Sequence, residues 1–164
     1  MSRISATGRI TWPVQGLATL IAHSQTFQGL VDADDWSEAV ERVYLEAAAE
    51  DEIARPCARV MVGEWQSESV QSNADGFDFM TTHQMGLVFE FLVPDEYAES
   101  HWNATVWMCD TVDAILQEME LLAGTEGNVI VRRMKLVYGP ARADAAERRQ
   151  HGDLMQMAFS VDGP

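Results

Sequence analysis

Hydrophobic and polar positions follow two different rhythms along this chain, and the change-overs between them outline its elements. From Met85 to Val93, apolar residues fall at Met85, Leu87, Phe89, Phe91 and Val93, every second position, as one face of a strand requires. Val88 and Leu92 add apolar bulk to the other face, interrupted by Gly86 and Glu90, and a strand apolar on both faces belongs in the middle of a sheet. From Ser100 to Ala123 the rhythm becomes helical. Met108, Val112, Ile115, Met119 and Leu122 form one stripe, widened by Cys109 and Leu116, while Asp110, Asp113, Gln117, Glu118 and Glu120 point elsewhere. Ser100 is the expected cap of this helix, and Gly124 and Gly127 suit its exit.

Two more period-two runs follow. Asn128 to Tyr138 sets Ile130, Met134, Leu136 and Tyr138 on one face together with Arg132, and Val129, Val131 and Val137 on the other with Arg133 and Lys135. Asp153 to Val161 directs Met155, Met157, Phe159 and Val161 to a core face. Upstream, Cys57 to Trp65 reads as a strand, because Pro56 pushes Arg55 toward extended geometry. Trp12-Pro13 opens a helix over Val14 to Leu30, with Val14, Leu17, Ala18, Ile21 and Ala22 on its apolar face. Asp35 caps a second helix from Trp36 to about Glu50 that buries Trp36, Val40, Val43, Tyr44 and Ala47. Between the two central strands, residues 66–83 are polar, carry the turn signal Asn73-Ala-Asp-Gly76, and alternate Phe77 and Phe79 with acids. This extended loop or hairpin is the first place to look for a binding surface, since long connections in small domains serve function or stay disordered. Together these elements predict a single α+β domain over residues 1–164. Its mixed or largely antiparallel sheet has about four main strands, packed by one long helix and the N-terminal helices.

Charge changes this picture more than composition does. The 164 residues include 26 acidic and 11 basic side chains, a formal net charge of −15, with an ordinary globular share of apolar residues at 47%. Such an excess repels phosphate and argues against duplex binding through a basic face, although it also simply keeps a protein soluble. Arg132, Arg133, Lys135, Arg142, Arg148 and Arg149 are the one positive concentration. They either pair with acidic helices of the same chain or, in an oligomer, meet the acidic helix of a neighbour head to tail. Cys57 and Cys109 lie in apolar surroundings outside any CxxC pair and read as buried free thiols. The first residues lack the apolar core of a signal peptide, and no apolar run approaches the ~20 residues that span a bilayer. An intracellular, soluble protein is expected.

Catalytic signatures are missing from the sequence. His23, His83, His101 and His151 are far apart, with no HExxH pair, and there is no GxSxG elbow, P-loop or GxGxxG after a strand. Glu118 and Glu120 lie on different sides of their helix and cannot act as one dyad. Asp32, Asp34 and Asp35 lack the glycine and terminal glutamate of a calcium loop and suit helix capping. No enzymatic activity, cofactor or metal is expected. Trp36 and Trp107 fit packing positions on helices. Trp12, Trp65 and Trp102 sit at element boundaries, where aromatics either plug the ends of a core or meet another protein.

The order of elements carries a resemblance. Ser24-Gln-Thr-Phe-Gln-Gly-Leu30 precedes a strand introduced by Arg55-Pro-Cys-Ala-Arg-Val60, followed by Gly86-Leu-Val-Phe-Glu-Phe91, the long helix and Gly127-Asn-Val-Ile-Val131. Gly139-Pro-Ala-Arg142 and Gly152-Asp-Leu-Met-Gln-Met-Ala-Phe-Ser-Val161 complete the series. In this layout the chain resembles the tail terminator, or tail completion (minor tail), proteins of long-tailed bacteriophages and phage-like particles. The resemblance implies a virion protein assembled in the host cytoplasm, forming a ring, typically a hexamer. That ring would cap the tail tube at its head-proximal end, stop tube polymerisation and offer a docking surface to head–tail connector proteins. DNA would pass through the lumen without specific binding, which an acidic wall favours. Trp65, Phe77, Phe79, Arg132, Arg133, Lys135, Arg142, Arg148 and Arg149 are the candidate contacts with subunits or partners. Two alternatives remain open at this point: a small-molecule-binding or enzymatic α+β domain, with His83 or His101 in a pocket, and a head–tail connector or monomeric adaptor.

Overall fold

The computed structural model describes residues 11–45, 47–71, 77–123, 130–137 and 153–163, with backbone placement alone at 64–71, 77–84 and the last two strands. The first helix, α1 (Trp12–His23), starts with proline in its first turn, where the missing N–H has no intrahelical partner to lose. It does not run on to Leu30. Ser24 leaves helical geometry and caps a separate helix, α2 (Gln25–Val31), its Oγ accepting from the Phe27 N–H at 3.0 Å. Asp32 closes α2 in the left-handed region at φ 56°, which a short polar side chain tolerates.

The expected helix from Trp36 to Glu50 is not formed. Asp35 does cap a helix, accepting from the Ser37 and Glu38 N–H groups, but α3 covers only Trp36–Ala39, and a 3-10 turn over Val40–Arg42 follows. Strand β1 (Val43–Leu45) then pairs in parallel with the next strand, Val43 opposite Ala58. A β-branched, aromatic and branched run such as Val-Tyr-Leu suits a pleated edge better than a helix, and the sheet is there to receive it. Trp36 is accordingly not buried. It is 45% exposed and stacks on His23 with ring centroids 4.8 Å apart.

Strands β2 (Cys57–Gln71) and β3 (Phe77–Phe91) form a long antiparallel hairpin, irregular between Val62 and Trp65. A short helix, α4 (Asp95–Ala98), leads into α5 (His101–Leu122), capped by Ser100 as its sequence predicts. Strands β4 (Ile130–Val137) and β5 (Asp153–Gly163) pair with each other, and β5 pairs with β3. The sheet order is β1-β2-β3-β5-β4, mixed in direction because β1 is parallel and the other pairs antiparallel. The class is α+β. The long central strand β3 lies between β2 and β5, as a strand apolar on both faces should.

The core lies between the sheet and the helices. Leu17, Leu20 and Ile21 of α1 meet Phe27 of α2, Ala58 and Val60 of β2, and Leu87, Phe89 and Phe91 of β3. The stripe read from α5 enters the same cluster through Met108, Val112, Ile115 and Met119. Leu20 lies off the apolar face read from the sequence yet is fully buried, because α1 touches β1, β2 and β5 as well as α3 and α5. No helix among the described residues is long and apolar enough to cross a membrane.

Candidate functional site

Two polar devices hold the frame on which the surface features sit. Glu118 of α5 reaches the break between α1 and α2. It accepts from Ser24 Oγ, from the Thr26 N–H at 3.1 Å and from Thr26 Oγ1 at 2.7 Å. Partial burial pushes its carboxyl up, but these hydrogen bonds outweigh that and hold it below the ordinary value. The second device is Glu90, on the side of β3 facing away from Phe89 and Phe91 and only 2% exposed. Arg59 Nη1 donates to its Oε1 at 3.0 Å, and Arg55 Nε lies 2.5 Å from Oε2 as an ion contact rather than an aligned hydrogen bond. Cys57, opposite Glu90 in the register, is fully buried, and desolvation first, with the Glu90 charge second, pushes its thiol up to about 12. It is a packing residue, not a nucleophile. Cys109 is half-buried and its thiol is also raised, by desolvation and then by Asp110.

The sequence-predicted contact residues fall into separate groups. Trp65 lies on β2 opposite His83, just past the irregularity, and Phe77 and Phe79 lie on β3 opposite Gln71 and Ser69. These three share the hairpin. Pairing of β3 with β5 stops at Thr81 opposite Gly163, so among the described residues the stretch from Glu68–Gln71 to Phe77–Met80 is a two-stranded ribbon. Arg133 and Lys135 lie on β4 opposite Ser160 and Ala158, and Arg132 occupies the register shift between Val131 and Arg133. With β5 between β3 and β4, the basic strand and the hairpin are not neighbours. Arg142, Arg148 and Arg149 lie outside the described residues, and so does the side chain of Trp12.

The described side chains reveal one surface feature that sequence reasoning only half found. Beside α4 and α5 runs an open groove of about 640 Å³, bounded by Tyr97, Trp102, Val106 and Trp107, with Glu96 and Asp110 at its rim. Trp102 is 74% exposed, and Val106, one turn further along, is exposed as well. The floor is anchored from inside. Phe27 contacts Phe89 (ring centroids 6.1 Å), Phe89 contacts Phe91 (6.2 Å), and Phe91 meets the edge of Trp107 (5.5 Å). Trp107 in turn stacks on Tyr97 at 5.9 Å, so an aromatic chain runs from the core to the groove. Trp102 was legible as a boundary tryptophan, whereas the parts played by Tyr97 and Trp107 depend on the fold of α4 against α5. Exposed aromatics over a fixed floor suit contact with another polypeptide. Among the described residues, no group of three or more His, Cys, Asp and Glu is placed to hold a metal ion. No protein-family model matches the chain, and no curated protein matches it.

Proposed function

We propose that this chain is a structural subunit of a phage-type tail. As a single-domain protein it forms a six-fold ring that caps the head-proximal end of the tail tube. The ring ends tube polymerisation and presents the surface on which the head docks. Its partners on this reading are further copies of itself, the tail tube protein and head–tail connector proteins, and its place is the virion. The reading rests on the order of elements along the chain, and one structural observation carries it. Among the described residues, the ribbon at Glu68–Gln71 and Phe77–Met80 has no third strand beside it, and Phe77 and Phe79 lie on it. A two-stranded ribbon is marginal in water and gains stability when another surface covers it. In a ring, that surface is a neighbour or the tube. The net charge of −15 suits a lumen through which DNA slides without adhering.

The test is reconstitution. The purified chain, alone and mixed with tail tubes, is examined by negative-stain microscopy and native mass spectrometry. Rings seated at one end of tubes that no longer lengthen are the expected result. Tubes that keep growing with bare ends, and a chain that does not co-sediment with them, refute the proposal. A chain found between a finished tube cap and the head would instead be a connector, and the same micrographs distinguish the two positions.

A further inference from the structure

We infer that the groove beside α4 and α5 receives the basic strand β4 of a second copy of this chain. The inference rests on the ring reading, since it requires copies to meet head to tail.

Charge along the chain is sharply divided. From Val60 to Val131 there is no lysine or arginine, and this stretch includes all of α4 and α5. Six of the 11 basic residues then follow between Arg132 and Arg149. The groove carries Glu96 and Asp110 and offers exposed Trp102 together with the Tyr97–Trp107 stack. Acid beside aromatic rings is the chemistry that holds a guanidinium or ammonium group, by ion pairing at the rim and by attraction to the ring faces. The hairpin ribbon is a poor occupant, because Glu68 and Asp78 would be brought to Glu96 and Asp110.

β4 has both the charge and the position. Among the described residues it is the terminal strand of the sheet order, and it bears Arg132, Arg133 and Lys135 within eight residues. Its register shift at Arg132, and its lysine, are devices that discourage direct pairing with another strand edge. Groove and β4 are different surfaces, so the contact is heterologous: each copy uses its groove on one neighbour and its β4 on the other.

The experiment uses the full chain in sedimentation velocity over a concentration series up to about 1 mM, with thermal melts confirming that each variant is folded. Trp102→Ala, an exposed position, and the pair Glu96→Lys with Asp110→Lys should each weaken self-association about tenfold or more. Arg133→Gln with Lys135→Gln should do the same, and added salt should weaken the wild type. A groove variant mixed with a β4 variant should give a one-to-one heterodimer and nothing larger, because one intact joint remains. Wild type that stays monomeric throughout overturns the inference, as does loss of association from groove variants but not from β4 variants, which would identify another occupant. Failure of the mixture to rescue points to pairing within one chain and also overturns it. Groove variants that still form wild-type rings overturn this inference while leaving the ring itself standing.

Discussion

Replacing Glu90 with glutamine keeps the shape of the side chain and removes its charge. Glu90 is 2% exposed, and its two cationic partners have side chains only 15% (Arg55) and 20% (Arg59) exposed. Removing one member of a buried ion pair costs about 3–5 kcal/mol, mostly because the opposite charge stays desolvated without compensation. Glutamine retains an acceptor for Arg59 Nη1, and both guanidinium groups are partly wet and keep other interactions, so no more than the lower end, about 3 kcal/mol, applies here. For a chain of this size that is a fall in Tm of about 6–12 °C. Paired thermal melts at low and high salt measure it. The difference between variant and wild type should change little with salt, because a buried pair is weakly screened. A fall in Tm of less than about 2 °C would refute the reasoning, since it would mean that the Glu90 carboxylate contributes no more than a surface pair.

Glu118→Ala removes three accepted hydrogen bonds at the α1–α2 break and should cost about 1–3 kcal/mol in urea unfolding near neutral pH. Because the folded carboxyl lies below its ordinary value of 4.5, its contribution is complete above that pH and is lost as pH falls through the folded value, so variant and wild type should converge in acid. Trp36→Ala removes a 45%-exposed ring stacked on His23 and should cost no more than about 1 kcal/mol, a result that a buried tryptophan would contradict. In the folded protein a thiol reagent at pH 8 should leave Cys57 unmodified, with its thiol pushed up to about 12, and should label it only on unfolding; rapid native labelling counted by mass spectrometry would contradict its burial.

Elements whose signal is repeated many times were legible in the sequence. The α5 stripe recurs over about four turns, and β3 alternates through its core half, so both stand out without tertiary information. Where a distant group decides, the sequence was silent. The break at Ser24 depends on Glu118, 94 positions further along, which completes the hydrogen bonding of a serine the helix could otherwise have run through. Val43-Tyr44-Leu45 followed a helical rhythm upstream, but a strand edge at Ala58–Val60 outweighed it. Gln66–Gln71 carries little apolar alternation, because a ladder is held by backbone groups that leave no mark in side-chain pattern. The groove shows the same divide. Trp102 announced itself by position, while its floor exists only once Phe91, Trp107 and Tyr97 are stacked.

The place of β3 in the sheet bears on how the chain matures. Its partner β5 is synthesised after α5 and β4, and the pairing of Phe91 with Asp153 closes a loop longer than 60 residues. Contacts of that separation form late, since the entropy of closing the loop must be overcome first. Until β5 arrives, a nascent chain carries the β2–β3 hairpin with one flank of β3 unpaired beside Leu87 and Phe89. That is an adhesive edge. During synthesis, the strand that becomes the centre of the sheet is therefore its most exposed liability, and chains cut short before Asp153 should aggregate rather than fold.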